Sequence, residues 1–203
     1  MKGSLVLDLG PAAAEVARLL DGVSDDQLGD PTPCPGTPVA GLLDHFMGLT
    51  LAFTWAAHKA HIPESGGPAP GGGAAADLDP AWRSVLPQRL GELAEAWRAP
   101  AAWEGEAEAG GVTLPAEQMG VVAVDELVMH GWDLARATGQ AFTCDPVSTA
   151  AVLAFTTEAA KPENADSRQG LFGPVVDVPH SAPPLDRALG LAGRDPSWTP
   201  PPA

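Results

Sequence analysis

Tyrosine is absent from the 203 residues, and only two cysteines and 11 Lys and Arg side chains are present. Each scarcity excludes something. Cys34 and Cys144 stand far apart and neither belongs to a C-x-x-C pair, so the chain does not read as a secreted disulfide scaffold. Eleven basic groups against 26 acidic ones give a formal charge of -15. Nucleic acid and anionic membrane are poor partners for such a chain, because phosphate binding needs clustered cations. Solubility explains the acidity more simply than an acid-dependent function does. No apolar run approaches a membrane span, and the N-terminus lacks a signal-peptide pattern. The expectation is a soluble cytoplasmic protein.

What is there is enough apolar surface for a sizeable core, at 45% of residues. The length suits one ordinary domain, and neither a repeat nor a boundary interrupts it. We therefore read 1–203 as a single domain with a C-terminal extension.

Proline punctuates the helices. It fits the first helical position, where its missing N–H costs nothing, and Asp, Ser or Thr commonly precedes it as N-cap. Thr37–Pro38, Asp79–Pro80 and Asp145–Pro146 have this form, with Gly10–Pro11 and Leu114–Pro115 as weaker versions. Apolar residues recur at helical spacing after each one. The spacing predicts helices over 11–23, 38–61, 80–98, 115–138 and 146–161. Their inward faces carry Val16, Leu19 and Leu20, then Leu42, Leu43, Phe46, Leu49 and Phe53, then Trp82, Leu86, Leu90, Leu93 and Trp97. Gly139 is placed to end the fourth. The Gly- and Pro-rich stretch 63–78 has no periodicity and reads as a long crossover, which lets two consecutive helices run parallel. Some extended structure is expected in "AAWEGEAEAGGVTL", a short strand at "PVVDV", and a last short helix in "PLDRALGLAG".

Chemistry concentrates in "DELVMHGWDLARATGQ" (125–140). Glu126, His130 and Asp133 are spaced four and three apart, so on a helix they stack on one face. His45 lies on the order of 10 Å from the start of its helix, and His130 on the order of 12 Å from the end of its own. Packed antiparallel, the two helices would bring these histidines to one level with Glu126 beside them. Two imidazoles and one carboxylate make a facial site with open positions, suited to zinc and also to nickel, iron or manganese. An i, i+4 Glu–His pair is equally an ordinary stabilising contact.

"PTPCPGTPVAGLLDHFMG" and "DELVMHGWDLARATGQ" together resemble the DinB-like superfamily of metalloenzymes, in the branch related to mycothiol-dependent maleylpyruvate isomerase. "LFGPVVDVP" and "LAGRDPSW" resemble that branch's C-terminal signatures. The resemblance covers nearly the whole chain. It implies an all-α four-helix bundle, up-down-down-up, with a long crossover after the second helix and extra C-terminal helices. It implies a divalent metal, zinc first and nickel or another ion next, held by His45, Glu126 and His130. Asp133 is read as a support for His130 rather than a ligand. One departure is Thr37, where relatives commonly carry a tryptophan that packs the entrance of the second helix. Trp132 is read as core, Arg136 as a helix-terminal charge or an anion contact, His58 and His61 as solvated, and both cysteines as structural.

Two functions from different classes follow. One is a metal-dependent transferase or isomerase that uses a low-molecular-weight thiol of the mycothiol type on a small electrophile. The other is a non-catalytic metal or small-molecule binding protein on the same scaffold. Either takes a small-molecule partner, and a homodimer is left open.

Overall fold

The structure is a computed structural model that describes residues 7–60, 78–168 and 171–201. Seven α-helices and one hairpin occur among the described residues. They are α1 Gly10–Leu20, α2 Val39–His58, α3 Trp82–Ala96, β1 Glu106–Ala109, β2 Val112–Pro115, α4 Ala116–Ala137, α5 Pro146–Ala159, α6 Ala165–Arg168 and α7 Pro184–Leu191. The residues predicted to face inward on α1, α2 and α3 are all buried. Removing these apolar stripes from water drives the helices together.

Both α1 and α2 pack on α3 and α4, so α1 and α2 lie on one diagonal of the bundle and α3 and α4 on the other. Helix directions follow from individual contacts. Arg83, at the start of α3, donates to the Val23 carbonyl just past the end of α1, so these two run antiparallel. Arg89 donates to the Met47 carbonyl and Trp97 Nε1 to the Phe53 carbonyl, so α3 and α2 advance together. Along α4, His130 meets His45 while Met119 shares a cavity wall with Phe53, which makes α2 and α4 antiparallel. Gln140, beyond α4, donates to the Leu19 carbonyl near the end of α1, so that pair is parallel. The order is up-down-down-up. The crossover expected at 63–78 lies outside the described residues except for Leu78, as does the predicted end of α2 at His61.

Three local expectations need correcting. "PVVDV" forms no strand: among the described residues no second strand runs beside it, and one bond from the Val176 N–H to the Gly190 carbonyl holds it against α7. Of the three proline-preceded caps, only Asp145 acts as written, accepting from the Val147 and Ser148 N–H groups. Pro38 itself is the N-cap of α2, because Thr37 is drawn into the preceding turn, its carbonyl accepting from Thr32 Oγ1 at 2.7 Å. Asp79 holds the Ala81 N–H at 2.8 Å in a turn, and α3 starts later, at Trp82. Finally, α2 is long and apolar enough to cross a membrane by length and composition alone, contrary to the first reading, but most of it is buried inside the bundle.

The extended structure expected before α4 is a two-residue hairpin with Ala109 opposite Val112. Gly110 and Gly111 turn it with φ of 59° and 78°. A tight hairpin turn of this hand needs positive φ at both positions, which glycine adopts without strain.

Candidate metal centre

The predicted juxtaposition is present. His45 on α2 and His130 on α4 stand edge to face with ring centroids 4.7 Å apart. Glu126 Oε2 lies 3.0 Å from His45 Nε2 and 3.3 Å from His130 Nε2. One donor atom from each of the three falls within 4.8 Å of the others, a grouping that could hold a metal ion. None of the three is sealed in the core: Glu126 and His45 remain 26% and 33% exposed, facing a cavity.

Asp133 is fully buried one turn along, and its Oδ2 sits 3.1 Å from His130 Nδ1. That contact directs the Nδ1 proton to Asp133 and leaves Nε2, 3.3 Å from Glu126 Oε2, as the nitrogen a metal ion would take in place of its proton. Arg194, from the segment after α7, closes the arrangement with Nη2 at 3.1 Å from the same Oδ2. Sequence reasoning quoted "LAGRDPSW" but singled out no residue in it. Arg194 is its one cation, and with Asp195 beside it nothing local marks that cation for burial.

The electrostatics of the cluster favour positive charge. Burial alone would lower the His130 imidazole, but its hydrogen bonds to Asp133 and Glu126 and their charges hold it up at about 10. Burial would likewise raise Glu126, yet its bonds to His130 and His45 keep it well below the usual carboxylate range. Burial, together with the charge of Glu126, pushes neighbouring Asp125 up to about 8, and its Oδ1 has no hydrogen-bond partner.

A second grouping, Cys34 with His130 and Asp133, also brings donor atoms within 4.8 Å. The turn before α2 places that cysteine: buried Thr32 takes the Cys34 N–H on its Oγ1 at 3.1 Å and donates to the Thr37 carbonyl. Cys34 therefore borders the site. Cys144 lies elsewhere, and burial raises its thiol.

Two cavities meet at the cluster. The wider, about 790 Å³, is bounded by Cys34, Thr37, Gly173, Gly193 and Arg194 among others. Thr37, where the resemblance suggested a tryptophan, leaves this wall open. Gly193 has φ 84°, and a Cβ there would come within 2.7 Å of Gly173, so this part of the wall is two backbones in contact. The narrower cavity, about 300 Å³, is formed mainly by helix side chains and the hairpin. His45, Glu126, Gly110, Leu171 and Phe172 belong to both.

The remaining candidates fall away from the centre. Trp132 is core at 6% exposure. Arg136 spans its ring and donates to the Trp198 carbonyl, so its role is to tie down the C-terminal segment. His58 is exposed, and His61 is outside the described residues.

Residues 9–135 match the family model described as the mycothiol maleylpyruvate isomerase N-terminal domain. An uncharacterized protein of Mycobacterium tuberculosis, present in two strains, is 29% identical over 192 residues, spanning 88% of this chain and 91% of its own length. The solved mycothiol-dependent maleylpyruvate isomerase aligns with TM-score 0.56 and 21% identity, covering 86% of this chain and 75% of that one. A histidine-to-alanine mutant of it aligns with TM-score 0.54 and 22% identity, covering 73% and 67%. Likeness at that identity speaks for the fold, and the DinB-like bundle expected from sequence is the fold observed.

Proposed function

Because the chain belongs to the mycothiol maleylpyruvate isomerase N-terminal domain family, we propose that it is a metal-dependent enzyme joining a low-molecular-weight thiol to a small electrophile. The observation that carries this reading is the convergence of His45, Glu126 and His130 at the edge of a wide cavity. Asp133 fixes the His130 tautomer from behind. The donor set suits a divalent ion, zinc first, with nickel as the next candidate. Such an ion would supply a positive charge beside a bound thiol and favour its thiolate.

The protein's own residues supply the rest. Asp133 orients one imidazole, and Arg194 holds Asp133 in place. Arg194 also lines the wide cavity, where a guanidinium can meet acceptor groups on a polar thiol such as mycothiol. When the acceptor is an activated double bond, sulfur bonds to one carbon and the thiol proton goes to the other. The adduct then contains every atom of both reactants, and no oxidant or leaving group is needed. Retention of that adduct is transfer. Rotation about the new single bond followed by loss of the thiol is isomerisation.

The competing reading is a non-catalytic binding protein. It draws support from the way Glu126 bridges both histidines, as an ordinary stabilising contact would. A thiol-consumption assay on metal-replete protein with mycothiol and a panel of electrophiles separates the two. Metal-dependent loss of free thiol above the uncatalysed rate is expected. Full stoichiometric metal binding with no acceleration for any electrophile would leave the binding reading standing. A reduced cytoplasmic thiol pool is the setting this chemistry requires.

A further inference from the structure

The two cavities differ in the ligands they can take, and the narrow one has no place in the site as derived so far. Its walls are Leu49, Phe53, Met119, Val122, Phe155 and Phe172. Among the described residues no Lys or Arg lines it, and its ionisable groups are His45, Asp125 and Glu126. A carboxylate ligand would enter low-dielectric walls with no Lys or Arg to pair with and two acids at the inner edge, and only the donor cluster at that edge could offer it positive charge. An aromatic or aliphatic body would instead bury against the Phe53, Phe155 and Phe172 rings, the last two packed edge to face at 6.0 Å between centroids.

The rim gives an independent indication. Val112 and Leu171 are 53% and 63% exposed, two of the few large apolar side chains that face solvent, and both border this cavity. Apolar surface left open around a concave apolar wall marks a ligand-binding groove more often than an ordinary surface. Its position is also informative. His45 and Glu126 stand between the two cavities. A body in the narrow one therefore faces a thiol in the wide one across the donor cluster.

We propose that the narrow cavity selects the electrophile, and that it takes an uncharged, apolar acceptor of about one ring with a short side chain rather than a dicarboxylate. This rests on the thiol-addition reading of the same centre. Relatives named for maleylpyruvate act on a diacid. By this assignment the present chain has the same centre with a different substrate class.

Binding and reaction test it separately. Benzylacetone and succinate, neither of which can add a thiol, are titrated calorimetrically into the metal-loaded protein. Benzylacetone is expected to bind at least about tenfold tighter than succinate, the difference that one buried ring can supply. Ala52→Trp and Val122→Trp fill the cavity from α2 and from α4, and each should weaken benzylacetone by about tenfold or more. Metal stoichiometry and the thermal unfolding curve should stay at wild-type values. If one variant fails to fold, the other decides. Succinate binding as tightly as benzylacetone would overturn the assignment, as would benzylacetone affinity unchanged in a folded variant. Thiol consumption is then followed with benzylideneacetone and with maleate. Consumption with maleate alone keeps the enzyme reading and overturns the apolar pocket. Benzylacetone binding without consumption of either acceptor keeps the pocket and overturns the enzyme reading.

Discussion

The wide and narrow cavities share His45 and Glu126 but are built from different materials. The wide one is walled by loop backbone and by Arg194, with Gly173 against Gly193 and Cys34 and Thr37 from the turn before α2. The narrow one is walled by helix side chains and closed by a hairpin tip. Backbone and guanidinium offer hydrogen bonds and charge. Packed Leu, Met and Phe offer only shape and exclusion of water. A single cluster of donors thus separates a polar half-site from an apolar one, which is the arrangement a reaction between a hydrophilic thiol and a hydrophobic acceptor needs.

If the cavities are two sides of one centre, removing their common edge must disable both. His130→Ala should bring bound metal from one per chain to near zero and cut thiol consumption by more than about a hundredfold, since even outer partners of a ligand cost roughly ten- to a hundredfold. Metal analysis of the purified variant checks this, and undiminished stoichiometry would remove His130 from the centre. The polar side can be struck alone at its cation. Arg194→Met removes one of the two positive partners of fully buried Asp133, His130 being the other, and should cost about 1.5–3 kcal/mol in urea unfolding. A loss under about 1 kcal/mol would mean that the pair behaves like a solvated one.

A smaller effect is expected from Asp133→Asn, which keeps the shape but weakens the hold on His130. Metal affinity should fall roughly ten- to a hundredfold in a competition titration against a chelator. The apolar side is struck alone with Phe155→Ala, which removes one ring of the edge-to-face pair. Benzylacetone should bind about fivefold more weakly, near 1 kcal/mol, with metal content unchanged; an equal loss of metal would merge the two half-sites into one. The least change is expected from Cys34→Ser. Metal affinity should move by less than roughly tenfold if the ion prefers the His45, Glu126 and His130 donors. A larger loss would shift it to the grouping of Cys34, His130 and Asp133.

Much of this architecture was legible because it is periodic. Helical spacing located the inward residues of α1, α2 and α3, and counting rise per residue from Pro38 and back from Thr138 put His45 and His130 at one level before any contact was known. What stayed hidden depends on contacts distant in sequence or on competition for backbone groups. Arg194 meets Asp133 across 61 positions, and no local pattern signals such a pair. Thr37 had the form of a cap, but the Thr32 hydroxyl claimed its carbonyl first. "PVVDV" has strand composition and, among the described residues, no strand to pair with. The apolar cavity escaped notice because its walls were counted as core, and a core residue and a pocket wall look alike along the chain.

The pairing of Asp133 with Arg194 also sets an order of events at the ribosome. At 5–20 residues per second, Asp133 is made roughly 3–12 s before Arg194. The bundle helices that carry the donors are complete before Arg194 is made, but the carboxylate destined for full burial then has His130 as its one positive partner among the pairs described. The nascent chain must therefore keep Asp133 hydrated until the segment that carries Arg194 arrives and docks. Translation of the segment after α7 is in this sense the step that completes the centre, and a chain lacking Arg194 would keep its donors but lose one of the two holds on Asp133.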